Sequence, residues 1–348
     1  MKKINFQLLA FIGLIFIWSC SSDDDMNPNT PDPTGLEKGK YGLVINEGGF
    51  QQGNSSLGLL NLETFEYQNN YFSSISNQPL GDIFNSMQIK EDVAYLVVNN
   101  SGKIEAIDLS DQTYIGRIEG FYSPRHMVAS GNTAYVSNLF ANAIQIVDLE
   151  AMNITGEIPT SGWTERMIID GNFLIVACSN CGYVYRYNLE NNNLVDSIQT
   201  GAATNFINRV SNERIIAFSS GTFDGSQKPS ATLFTNQMQL VQKFNLPTEN
   251  DFVGAATFEN NTNRLFFIDG AIVYYSTITS SSISFPQPFV NTGEVSPYAI
   301  SIGSDGRVFL SDAGDFSGAG KILVYNSNAM LLETIDTGIV PSGIVYYE

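Results

Sequence analysis

The chain is poor in basic residues, histidine, cysteine and tryptophan: against 35 Asp and Glu it has 17 Lys and Arg, one His, three Cys and two Trp. A formal charge of −18 repels phosphate backbones and anionic lipid surfaces, which argues against nucleic acid as a partner. His126 is the single histidine and no serine nucleophile motif accompanies it, so one His and scattered carboxylates form no recognisable catalytic constellation. There is no second cysteine pair to join Cys178 and Cys181 in a sulfur-rich tetrahedral metal site. The apolar run at residues 8–18 falls short of the roughly 20 residues that a membrane-spanning helix needs.

That run has another meaning. Lys2 and Lys3 precede it and Cys20 follows it as Ile17-Trp18-Ser19-Cys20. Residues 1–19 therefore read as a signal peptide, with ordinary signal-peptidase cleavage as the alternative to lipoprotein processing. Removing Lys2 and Lys3 takes −18 to −20. If lipidated, Cys20 carries acyl chains, and two or more such chains anchor a protein stably on a membrane. Residues 20–40 include an Asp run at 23–25 and are rich in Asn, Pro, Thr and Gly, so they are expected to form a flexible acidic tether.

What the chain has in quantity is repetition. Met87, Met127, Met167 and Ile207 stand 40 residues apart at the heads of similar units, and Ala256, Ile300 and Ile344 continue the series at spacings of 49, 44 and 44. Within a unit, period-two apolar runs such as Ala134-Tyr135-Val136 and Ile144-Gln145-Ile146-Val147 are separated by Gly, Asn and Asp turn signals. Four antiparallel strands per unit make a propeller blade. The expected fold is all-β: a seven-bladed β-propeller over residues 41–348, with six or eight blades as the alternative. The chain stops after one strand of its seventh unit, while residue 41 opens on a second-strand pattern with none before it. The C-terminal strand, at residues 342–347, is therefore expected to close the first blade. The 65–72 segment, FEYQNNYF, reads as a further strand of that blade.

In such a ring, the connections between blades and the loops joining each second and third strand emerge on one face. The candidates for ligand binding on that face are Asn85, Arg125, His126, Trp163, Arg166, Phe206 and Tyr298 from the connections, with Phe50, Asn138, Phe140, Phe223 and Phe316 from the loops. Exposed rings beside amides suit a ligand with apolar faces and many hydrogen-bonding groups; the alternative is that the rings pack between blades. A long loop at residues 221–230 adds to this face. His126 is open to three roles: general base, ligand contact or structural hydrogen bonding. Cys178 and Cys181 could form a disulfide, remain thiols or hold a metal; on an oxidising cell surface a local disulfide is the expectation. Asp305-Gly306 and Asp312 to Asp315 suit either calcium or turn chemistry. No metal or cofactor is assigned.

The units, with Pro-x-x-Met or Ile, Gly-Asn-x-Ala-Tyr-Val and Ile-x-Val-Asp-Leu, resemble the YncE-like seven-bladed propellers. The opening Tyr41-Gly42-Leu43-Val44-Ile45-Asn46-Glu47-Gly48-Gly49-Phe50, with the cysteine box and Asp run, resembles the BtuG group of vitamin B12-capturing surface lipoproteins of Bacteroidota. That resemblance implies an outer-membrane, cell-surface location and a lipid anchor. It also implies a corrinoid as the captured small molecule and transfer to a TonB-dependent outer-membrane transporter. A propeller enzyme, lyase or hydrolase, and a scaffold for other surface proteins are the alternatives.

Overall fold

The computed structural model describes residues 35–348 apart from 294 and 296. The signal peptide, Cys20 and most of the expected tether lie outside the described residues. The described chain forms seven four-stranded antiparallel sheets, the expected blades. Blades 2 to 7 each use four consecutive strands, and their inner strands are Phe84–Lys90, Pro124–Ser130, Thr164–Asp170, Thr204–Ser211, Ala256–Glu259 and Ala299–Ile302. Blade 1 takes its inner strand, Pro341–Tyr346, from the C-terminus, paired antiparallel with Tyr41–Asn46 through Leu43↔Val345 and Val44↔Ile344. Each inner-strand head expected from the repeat spacing lies within one of these strands.

The second strand of a blade reads as nearly continuous apolar sequence because a neighbouring blade covers each of its faces. In Val93–Val98, the side chains of Ala94, Leu96 and Val98 pack toward blade 1, while Tyr95 and Val97 pack toward blade 3. The pattern recurs in Phe173–Cys178, Arg214–Ser219 and Arg264–Asp269. The buried apolar residues accordingly fall into seven clusters, one at each seam between adjacent blades. The cluster between blades 7 and 1 joins Phe309, Ile322 and Val324 to Val44, Leu60 and Ile344, so the C-terminal strand completes a core as well as a sheet. Outer strands such as Thr113–Glu119 face solvent and alternate in burial.

Two expectations need correction. The segment 65–72 is only briefly a strand, Tyr67–Gln68, before a single helical turn, Tyr71–Ser76. Asn70 adopts a left-handed conformation, φ 57°, which ends the strand and turns Tyr71 and Phe72 into the seam between blades 1 and 2, where both are buried. The tether, expected to reach residue 40, ends sooner: Leu36 is buried in the same seam, and its amide donates to the Leu109 carbonyl at 3.0 Å. Lys38 pairs with Asp92 at 2.9 Å, which helps to hold this segment against the ring.

Ile344 fills the closing seam, whereas Leu331 on the outer strand of blade 7 is half exposed. Ile344→Ala is expected to cost about 2–5 kcal/mol, and Leu331→Ala less than about 0.5 kcal/mol. Urea unfolding midpoints of the two variants check this difference.

Candidate functional site

The inner strands do not pair along their whole length. At the end nearest the loop face, blades 1 to 5 carry a bulge that leaves one or two residues without a ladder partner. In blade 3, Pro124 pairs with Asn138 and Met127 with Val136, so Arg125 and His126 together face the single residue Ser137. The same irregularity frees Asn85 in blade 2, Glu165 and Arg166 in blade 4, Asn205 in blade 5 and Ser342 in blade 1. A bulge bends the strand and re-aims its side chains, here into the central opening.

There the freed residues line a funnel of about 390 Å³ together with Glu47, Phe206, Tyr298 and the small residues Gly254, Ala255, Ala256 and Ala299. Two residues upstream of each inner-strand head, in blade order from 2 to 7 and then 1, stand Asn85, Arg125, Glu165, Asn205, Gly254, Tyr298 and Ser342. All seven border the funnel. Both guanidinium groups, the imidazole and both amides lie on blades 2 to 5, Glu47 and Tyr298 lie on blades 1 and 7, and the small residues Gly254, Ala255, Ala256 and Ala299 lie on blades 6 and 7.

Arg125 is held on two sides. Its Nε donates to Glu165 Oε2 at 2.9 Å, its Nη1 donates to Asn85 Oδ1, and its own carbonyl accepts from Asn85 Nδ2 and Ser86 Oγ, each at 2.6 Å. Arg166 has no salt bridge among the described residues; its guanidinium lies 5.1 Å from the centre of the Phe206 ring. Across the ring, Tyr298 OH donates to Glu47 Oε2 at 3.0 Å. Burial raises the Glu47 pKa above its usual value, opposed by hydrogen bonds from Tyr298 and Ser342 and by the charge of Arg125. His126 lies low in the funnel with its Nε2 3.9 Å from Glu165 Oε2. Burial, then the charges of Arg166 and Arg125, hold its pKa well below 6.5, so the imidazole is neutral at pH 7.

Around this funnel stand the aromatic loops. Phe140 is 66% exposed and meets Trp163 edge to face at 5.8 Å. Phe316 meets Tyr298 in the same way at 5.4 Å, beside a cleft of about 460 Å³. Phe223, 83% exposed at the tip of the long loop, stacks on Phe252 at 4.1 Å and borders a cleft of about 370 Å³. Phe50 is exposed on its own loop.

Of the residues singled out from the sequence, Asn85, Arg125, His126, Arg166, Phe206 and Tyr298 come together in the funnel, although Phe206 is mostly buried. Phe50, Phe140, Trp163, Phe223 and Phe316 are exposed in the loops. Asn138 does not join them: it is fully buried, its amide nitrogen donating to the Val136 and Ala143 carbonyls at 3.1 and 3.3 Å, and it braces its own loop. Glu47, Glu165, Asn205 and Ser342 lie in loops or connections that the sequence assigns to this face, with Arg125 and Glu165 at equivalent positions near the axis, but none of the four was among the candidates for ligand binding; Gly254 is new.

Cys178 and Cys181 are joined in a disulfide with Cα atoms 5.4 Å apart. Gly162 packs beside it, where an added Cβ would lie 2.5 Å from Cys181 Sγ. Ser179, inside the loop so closed, donates to Glu165 Oε1 at 3.4 Å. The acidic turns are engaged in local bonding. Asp305 accepts from Arg307 at 2.6 Å, and Asp312 accepts from the Gly314 amide at 2.9 Å. The Gly318 and Ser317 amides hold the Asp315 carboxyl down to about 2. Among the described residues, no cluster of three or more His, Cys, Asp or Glu is arranged to hold a metal ion.

The sequence matches no protein-family model and no curated protein. Solved structures do resemble it. A functionally unknown protein from Desulfotomaculum acetoxidans has a TM-score of 0.69 at 13% identity, over 88% of this chain and 98% of the other. A quinonprotein alcohol dehydrogenase-like protein from Bacteroides thetaiotaomicron has a TM-score of 0.65 at 14% identity, over 91% and 79%. Hydrazine synthase from Kuenenia stuttgartiensis has a TM-score of 0.62 at 14% identity, over 75% and 88%. The likeness is one of fold. At these identities it carries no activity across.

His126 sets a pH dependence whose sign follows from its lowered pKa. Below about pH 6.5 the unfolded chain binds a proton that folded His126 refuses, so this contribution to stability is complete above that pH and is lost as pH falls toward the folded-state value. His126→Gln is expected to flatten that part of the stability profile, measured as unfolding midpoints between pH 7 and pH 5.

Proposed function

We propose that the protein is a lipid-anchored cell-surface module that captures a small nutrient molecule on its loop face. The most specific candidate is a corrinoid, passed on to a TonB-dependent outer-membrane transporter. The observation that carries this reading is the pairing of a polar funnel with exposed aromatic rings around it. Solvent-exposed Phe140, Phe223 and Phe316 leave apolar area in water that an uncovered loop has no reason to keep. A corrin is a broad ring with amide arms, so rim aromatics can meet its faces while Asn85, Asn205 and the guanidinium groups meet its arms.

The location rests on residues 1–40 of the sequence, with the cysteine box ending at Cys20 and the Asp run after it. The proposed likeness to the YncE-like propellers and to the BtuG surface lipoproteins rests on the blade motifs and the opening segment of the sequence.

Titration calorimetry of the chain with cyanocobalamin tests the ligand. Saturable one-to-one binding at micromolar concentration or below is expected, and no heat at micromolar ligand would remove the corrinoid. Phe140→Ala combined with Phe316→Ala should weaken binding about tenfold or more while leaving the thermal melt unchanged. A lost melt would place these rings in the framework instead. Cys20→Ala should move the protein from the membrane to the soluble fraction, and continued membrane association would contradict the anchor.

A further inference from the structure

The funnel's two arginines differ in their partners. Arg117, Arg125, Arg209, Arg214 and Arg307 each pair with a carboxylate. Arg166 pairs with none among the described residues, although the chain has twice as many acids as bases. Its position is not that of an incidental surface arginine. The bulge in blade 4 leaves it without a ladder partner, its guanidinium lies over the Phe206 ring at 5.1 Å, and it borders the funnel together with His126 and Asn205. A cation–π contact of this kind uses none of the guanidinium N–H groups that fork onto an oxyanion, so they stay available to a ligand. Glu165, the nearest acid in sequence, is already occupied by Arg125 and Ser179. His126 beside it is uncharged and can add an N–H donor or an acceptor without repelling a cation or an anion.

We infer that Arg166, with His126 and Asn205 beside it, forms an oxyanion subsite on the polar wall of the funnel, taking a carboxylate or phosphodiester group of the captured molecule. The rest of the ligand extends toward the small-residue sector at Gly254, Ala255 and Ala299, where side chains leave room. The subsite depends on the funnel being the ligand site, and not on the ligand being a corrinoid.

Two measurements on the purified full chain separate these points. The first follows the arginine Nε–H signals by NMR during titration with dimethyl phosphate, with acetate and with uncharged trimethyl phosphate. Arg166 should shift saturably with one or both anions and not with the neutral ester, the stronger response distinguishing phosphodiester from carboxylate. Arg264 is the control, since it also lacks a carboxylate partner and stacks on Tyr275 at 4.5 Å, outside the funnel. Equal responses at Arg166 and Arg264 would overturn the subsite.

The second compares cyanocobalamin, which carries a phosphodiester, with dicyanocobinamide, which lacks it, by calorimetry. Arg166→Gln should lose about tenfold to a hundredfold in affinity for the first and little for the second, with partial rescue by Arg166→Lys. Equal binding of cyanocobalamin by the native chain and Arg166→Gln would overturn the subsite while the corrinoid reading stood. A saturable Arg166 response without any corrinoid binding would support the subsite and overturn that reading.

Discussion

The structure depends on the pairing of its two ends. Seven apolar seams hold the blades together, and each seam needs both of its neighbours. An open ring would leave one face of its first blade and one face of its last in water, with the second strands there buried on a single side. The antiparallel ladder between Tyr41–Asn46 and Pro341–Tyr346 removes both the bare faces and the unpaired strand edge at once. Closure of this kind joins residues almost the whole chain apart, so its loop-closure entropy is met once and shared by the whole ring.

The ring also imposes a division of labour along every blade. Second strands are covered on both faces and are almost purely apolar, outer strands alternate toward water, and inner strands converge where seven chains approach one axis. Five blades carry bulges there, and the other two contribute the small residues Gly254, Ala255, Ala256 and Ala299 beside Tyr298. The electrostatics follow from this geometry. Two guanidinium groups and a neutral imidazole share one side of a narrow opening in a strongly acidic protein, and among the described residues one guanidinium, that of Arg125, pairs with a carboxylate.

Much of this fold could be read from spacing. The heads from Met87 to Ile344, the apolar second strands and the incomplete first and last units were sufficient for the blade count and the closing strand. Local chemistry was harder to read. The segment FEYQNNYF has the residues of a strand, but Asn70 takes a left-handed turn and the burial of Tyr71 and Phe72 outweighs their β preference. Leu36 looks like part of a solvated linker until a seam is present to receive it. In the site, Asn138 resembled its exposed neighbours because an amide reads alike whether it meets a ligand or braces its own loop. The repeat puts Arg125 and Glu165 at equivalent positions of neighbouring blades, but the bulges that turn them and Ser342 into one opening are a property of pairing, and no residue type announces it.

The bulges have one more consequence. Residues without ladder partners carry little of the framework's hydrogen bonding, and their side chains point away from the seams. Asn85, Arg125, Glu165, Asn205 and Ser342 are therefore set outside the apolar frame, although Asn85, Arg125 and Glu165 are bonded to one another and change as a group. A mutation at Asn205 or Ser342 alters the chemistry of the opening while the apolar seams stay as they were. Such a ring can change the lining of its opening in small steps, each passing through a folded protein, which separates the evolution of that lining from the evolution of stability.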